Sequence, residues 1–385
     1  MTSKQNFRDG FRVAGDDILH NVITEVVLPN LCKHIENEQG ISARVDFQDW
    51  LSKPLTGDVK LAHKRKLFVS YVLSRLGIAL LGLYEKTVDP GFSFDTFSVA
   101  DLLCDDATAK QVLDMQQLLP ESITQSTLAL CNIEVSRNKM EVCIRGVVGD
   151  LLLSLSNVIS KFDCDVLLMA GRPSRLPVIK DIILESMPVR SHRLKFLHQY
   201  QLVDSWYPYV GRNNCIDDPK TTVAVGALIC SLAQQAKVEN FSIQREGFRL
   251  GSIANYIGVL NQNQTIEDHR IYLNPNQLKS DSSLKLEASL IIGYRQLNDP
   301  TWPSTPLYNI SPVNIHNIDD DDSLVTLSRV IPDDHEDKDF AFVEEYLEVE
   351  TESGSRNKIN FELQTTRDSG GYWMDSGSLD YSVDY

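Results

Sequence analysis

The chain reads as an α/β protein with a helical insertion and a β-rich C-terminal region. Three observations predict this class. The continuous apolar run CDVLLMAG, ending at Gly171, leads through a turn into the amphipathic stretch PVIKDIILESM, as when a buried strand passes into its covering helix. Residues 36–125 change character and read as mostly helical. From about Asn240 the patterning becomes strand-like, as in SLKLEASLIIGYRQL. The expected division is a sheet subdomain from 1–35 with 126–236, a mainly helical inserted subdomain at 36–125, and a β-rich acidic region at 237–385.

In order along the chain, NFRDGFRVAGDDILHNVITEVVLPNL predicts a short strand around Phe11 to Ala14 and then a helix from about Asp16. Asp16 and Asp17 fall where a cap and a helix-dipole partner belong. Within the insertion, KLAHKRKLFVSYVLSRLGIALLGLYEK is the main helix, and DFQDWL and SVADLL are short helix starts. TLALCNIEVSRNKMEVCI alternates and predicts a long strand or a strand pair turning at Arg137-Asn138. GVVGDLLLSLSNVISKFD follows as a helix with apolar residues at i, i+3, i+4 and i+7. CDVLLMAG is expected to be a central strand covered on both faces. DDPKTTVAVGALICSLAQQA predicts a helix capped by its aspartates, with Ala224, Gly226 and Ala227 small enough for close packing on a sheet. SLVTLSRV is a further strand, IDDDD and DDHEDKDFAFVEEYLEVETE are strongly acidic, and DSGGYWMDSGSLDYSVDY is expected to fray.

Net charge is −16, which argues against nucleic-acid binding through a broad basic face. Seven cysteines form no CxxC pair and lie mostly in apolar runs, the pattern of reduced core thiols in a cytoplasmic protein. The N-terminus has no apolar signal-peptide core. LFVSYVLSRLGIALLGLY carries Arg75 and two glycines and is read as a buried helix rather than a membrane span.

Walker A, GxGxxG, HExxH and GxSxG motifs are absent, and the eight histidines are scattered, so neither a catalytic set nor a metal set is predicted. What stands out is Gly171-Arg172-Pro173-Ser174-Arg175 between strand and helix. A glycine there lets a ligand approach the backbone, and Arg175 can lay its flat guanidinium against a base. The same turn is also simply how a strand enters a helix, and these residues alone leave both readings open. For Gly15-Asp16-Asp17 and for Asp217-Asp218-Pro219-Lys220, helix capping is the default reading. Lys64-Arg65-Lys66 reads first as a solvated helix start, and the acidic tail as a solvated loop region.

Order and spacing then carry a resemblance. Val13-Ala14-Gly15-Asp16-Asp17, Gly171 to Pro177 and Asp218 to Leu228 occur in the running order of the second lobe of Hsp70- and actin-like ATPases. In that lobe, a GGED-type junction, a helical insertion, a GGSTRIP-type adenosine turn and a closing helix follow one another. GRPSRLP, WYPY, DDPKTTVAVGA, IGYRQL and WPSTPLY further resemble the C-terminal part of the SrfB-type virulence-factor family of Gram-negative bacteria, placed in the same superfamily. The resemblance implies a ribonuclease H-like sheet with flanking helices. It also implies an adenosine-side wall made by Gly15, Asp16, Gly171, Arg172, Ser174 and Arg175, and ATP or ADP with Mg as ligand. The DxG-type phosphate loops of the first lobe have no counterpart here, so the chain is expected to be a fragment or one product of a split gene. Metal ligands and an N-terminal half would then be supplied from upstream, and hydrolysis would need both. Other protein partners are expected, but no nucleic acid. Departures from the motif stand at Arg172 for a second glycine, Pro173 for a serine and Lys220 for an acid. They keep open a different class, a non-catalytic scaffold that retains the fold without nucleotide.

Overall fold

The computed structural model describes residues 10–11, 13, 15–52, 59–88, 92–114, 119–123, 127–162, 164–187, 190–202, 206–211, 214–242, 254–274, 281–286, 289–312, 324–330, 346–351, 359–363 and 372–379. It divides into two compact units. One comprises residues 13–226 with 369–385, the other residues 1–12 with 227–368.

In the first unit, α1 (Gly15–Val22) and α2 (Leu28–Gln39) are joined by a π-helical turn, Ile23–Val27. Pro29, near the start of α2, has no N–H to return to Glu25, which loosens the α-helical ladder at that turn. Ile18, Leu19, Val22, Ile23, Val26, Leu31 and Ile35 are all buried, so the stripe continues through the π turn. Gly40, at φ +89°, ends α2, and α3 (Ile41–Ser52) follows, containing DFQDWL. The long apolar run forms α4 (Val59–Phe68), a second π turn at Val69–Leu73, and α5 (Ser74–Glu85). Its Phe68, Val72, Leu73, Leu76, Leu80 and Tyr84 fill the same core. The two long helical runs approach at Gly77, where a Cβ would sit 2.5 Å from Leu19 Cδ1 and 3.1 Å from Ile23 Cγ1. By length and composition Val59–Val88 and Arg137–Ile159 could cross a membrane, but half of the most apolar window of the first is buried in this unit.

Antiparallel strands β1 (Thr96–Ser98) and β2 (Asn132–Glu134) come next. Ser98 caps α6 (Val99–Leu102), its hydroxyl accepting from Asp101 N–H at 3.0 Å, as SVADLL predicts. Asp106 likewise caps α7 (Ala107–Asp114). The strand pair expected around Arg137-Asn138 is not formed. The chain enters α8 (Arg137–Ile159) instead, with Ser136 accepting from Lys139 N–H at 3.2 Å. Met140, Cys143, Ile144 and Val148 are buried, a helical spacing that the alternation in NIEVS obscures.

Strand β3 (Leu167–Met169) and helix α9 (Pro177–Ser186) form where CDVLLMAG and PVIKDIILESM predict them, and β3 pairs in parallel with β4 (Leu194–Phe196), a strand that was not expected from the sequence. One expectation needs correction: β3 is not covered on both faces, for Leu168 is 61% exposed. Helix α1 begins at Gly15 with Asp16 and Asp17 inside its first turn, not before it. Phe11 and Val13 are in no strand, while Arg12 and Ala14 lie outside the described residues. Helix α10 (Thr221–Gln234) starts on Asp218, whose Oδ1 accepts from Lys220 N–H at 2.9 Å. Gly226 is not a close-packing glycine, because a Cβ there would meet nothing within 4 Å. The described part of the C-terminal segment is docked rather than frayed. Its α11 (Trp373–Ser376) leads to Leu379, which is fully buried and donates its N–H to the Leu51 carbonyl at 3.0 Å.

The second unit is antiparallel. A five-stranded sheet runs β12 (Ile359–Leu363), β9 (Thr305–Pro312), β8 (Leu290–Arg295), β5 (Tyr256–Val259), β6 (Ile271–Leu273). A three-stranded sheet runs β11 (Tyr346–Thr351), β10 (Leu324–Val330), β7 (Asp281–Lys285). Ile257, Leu273, Ile292 and Ile310 of one sheet share a core with Leu284, Val325 and Leu327 of the other. Arg295 is 1% exposed, donating to the Ile266 carbonyl and to Asp268 beside the Tyr256 ring. The run IDDDD and residues 333–345 of the acidic stretch lie outside the described residues. The whole is mixed α/β, the class the sequence predicts.

Candidate functional site

Everything in the GRPSR turn follows from its glycine. Gly171 sits at φ +81°, a conformation that side chains rarely adopt, and turns the end of β3 into a short 3-10 helix, Arg172–Arg175. Pro173 fits near its start, and Pro177 opens α9 with the ring-fixed φ that a helix start favours. Ser174 is 4% exposed, and its hydroxyl donates to the Gly171 carbonyl at 2.7 Å. That bond stiffens the turn.

The three motif segments, far apart in sequence, meet here. Gly15 lies against Pro173: a Cβ on Gly15 would be 3.5 Å from Pro173 Cγ. Gly171 N–H donates to the Pro219 carbonyl at 3.4 Å. Arg175 donates to the Asp217 carbonyl through Nη1 and to Glu85 Oε2 through Nε at 2.8 Å. The Glu85 side chain is only 13% exposed and that of Arg175 31%, so this pair is sheltered from solvent screening. Arg172 is exposed. Asp16 is also exposed, and its Oδ2 accepts from the Tyr372 hydroxyl at 2.6 Å.

Beside the turn lies a cleft of about 380 Å³, within the usual range for small-molecule sites. Glu85, Arg137, Arg175, Pro177, Lys180 and His198 are among its walls, with Leu176 and Phe196 as apolar floor. His198 Nδ1 is buried without a hydrogen-bond partner in the structure. Burial, and then the Arg175 cation, hold the His198 pKa below the ordinary histidine value. The site can therefore offer a flat guanidinium fixed at its edge, an imidazole that burial keeps from charging, the Lys180 ammonium, the Glu85 and Asp181 carboxylates and apolar surface. Such a set suits a planar polar ligand carrying negative charge. Among the described residues no group of three or more His, Cys, Asp or Glu could hold a metal ion.

Of the predicted residues, Gly15, Gly171 and Arg175 come together, with Ser174 turned inward as a strut and Asp16 bound to Tyr372. Glu85, His198 and Tyr372 were not singled out from the sequence. Glu85 closes an otherwise apolar run, His198 is one of several isolated histidines, and Tyr372 lies in the segment expected to fray.

The fold and site define an α/β protein whose helix-rich unit carries a strand–glycine–helix turn and whose second unit is an antiparallel β module. The chain belongs to the virulence factor SrfB family, whose model matches residues 1–380. No curated protein matches it.

Proposed function

We propose that residues 13–226 act as a nucleotide-binding lobe of the Hsp70/actin-like kind within a virulence-factor protein. ATP or ADP, with Mg, is the ligand, and Gly15, Asp16, Gly171, Arg172, Ser174 and Arg175 form or shape the adenosine-side wall. One observation carries this reading. The AGDD, GRPSR and DDPK segments, which the superfamily resemblance requires at one nucleotide, converge through Pro173, Pro219 and Asp217. The adjoining cleft has the size and mixed lining a nucleoside needs. Under the same resemblance the DxG phosphate loops belong to another lobe, so hydrolysis is assigned to a complex with such a lobe and not to this chain unaided. A cytoplasmic location and protein partners go with this reading.

The test is calorimetry with ADP and ATP on the full chain. Saturable binding is expected, weakened by Arg172→Glu, an exposed change that leaves the Arg175–Glu85 tie intact. Absence of binding by the folded wild-type chain overturns it. A second reading, a scaffold that keeps the fold without nucleotide, is favoured by one feature: Arg175 already spends its guanidinium edge on Glu85 and the Asp217 carbonyl. That reading predicts no heat with either nucleotide.

A further inference from the structure

The C-terminal segment Tyr372–Leu379 crosses four helical elements of the first unit and ends on the candidate wall. At one end Leu379 is buried and bonded to the Leu51 carbonyl, and Ser378 Oγ donates to the Ser52 carbonyl at 3.3 Å. Gly377, in the left-handed region at φ +68°, passes so close to α4 that a Cβ would lie 2.7 Å from the Lys66 backbone. In the middle, the Ser70 hydroxyl donates to the Met374 carbonyl at 3.3 Å. At the other end Trp373 meets His20 edge-on, with 5.4 Å between centroids, and Tyr372 donates to Asp16.

The two ends differ in kind. The Leu379 end is held by apolar burial and close backbone approach, which are lost only if the core opens. At the Tyr372 end Trp373 is only partly buried against the same core, and the tie to Asp16 is a hydroxyl–carboxylate bond, which can be exchanged for another partner at small net cost. A segment fastened this way pivots at its buried end. What its looser end touches is α1, through Asp16 in its first turn and His20 in its last.

We propose that Tyr372–Leu379 is an autoinhibitory strap, docked on α1 at Asp16 and displaced when a nucleotide engages the wall beside it. The inference rests on the nucleotide reading above. Its energetic content is a coupling: a ligand that needs Asp16 and strap docking at Asp16 exclude each other, so each weakens the other by the same factor. Burial and the Asp16 carboxylate keep the Tyr372 phenol protonated far above neutral pH, so the latch answers to ligand rather than to physiological pH.

The test measures ADP affinity of the full chain by calorimetry beside Tyr372→Phe, which removes only the hydroxyl, and Trp373→Ala. Circular dichroism checks that both variants fold. Each variant is expected to bind ADP at least about fivefold more tightly than wild type. In wild type, saturating ADP is expected to speed amide exchange at Trp373 and Met374 while Leu379 stays protected. Equal affinity in wild type and folded variants overturns the strap and leaves the nucleotide reading standing. Failure of the folded wild-type chain to bind ADP overturns the nucleotide reading, and the strap with it.

Discussion

His198 faces Arg175 inside a cleft, and its ring is more expensive to charge there than in water. The folded protein therefore binds its proton less readily than the unfolded chain does. Stability from this group is present above the ordinary histidine pKa of 6.5 and declines as pH falls below it, until the lower folded value is passed. Denaturant unfolding across pH 5 to 7.5 should show a shallower acid decline in His198→Gln than in wild type. Thiols offer a second check at this scale. Burial pushes Cys131 up to about 12, and its Sγ donates to the Asn30 carbonyl at 3.6 Å, whereas Cys104 is exposed. Iodoacetamide at pH 8 is expected to label Cys104 in the native protein and Cys131 only after unfolding, read by peptide mass spectrometry.

Helix ends and crossings carry the next set of constraints. Ser136 satisfies an amide at the start of α8, so Ser136→Ala should cost about 0.5–2 kcal/mol in urea unfolding. Gly377→Ala sets a side chain into both a left-handed conformation and the Lys66 backbone. It should release α11 and Leu379, seen as fast amide exchange at Leu379 and loss of its contact with Leu51. Elements whose signals are local were legible in the sequence. Ser98 announces α6, Pro177 announces α9, and the long, mostly apolar run announces the helix through α5. Elements decided at a distance were not. Residues 132–144 alternate and also repeat at helical spacing, and only the core formed with α1 and α9 selects α8. The exposure of Leu168 depends on what lies beside β3, which no property of CDVLLMAG encodes. The candidate wall was half legible for the same reason. Its glycine and arginine announce themselves by turn chemistry, while Glu85 and Tyr372 join it through tertiary packing alone.

Across the whole chain, two separate apolar cores divide the work of stability. Ile310, at 0% exposed, stands in the β unit's core, and Ile310→Ala should cost about 2–5 kcal/mol there. Hydrogen exchange would register it as lost protection in β5, β8 and β9. The chain leaves the helical unit after residue 226 and comes back to it at residue 369. Leu379, a fully buried member of the helical core, is thus made after the entire β unit. At about 5–20 residues per second, the ribosome takes on the order of ten seconds to bridge that gap. During that interval the helical unit lacks one buried member of its core, and the Leu51 carbonyl waits for a residue still inside the translation machinery. Birth order alone makes the β unit the first that can finish folding, and it makes the helical unit a client of its own final eight described residues.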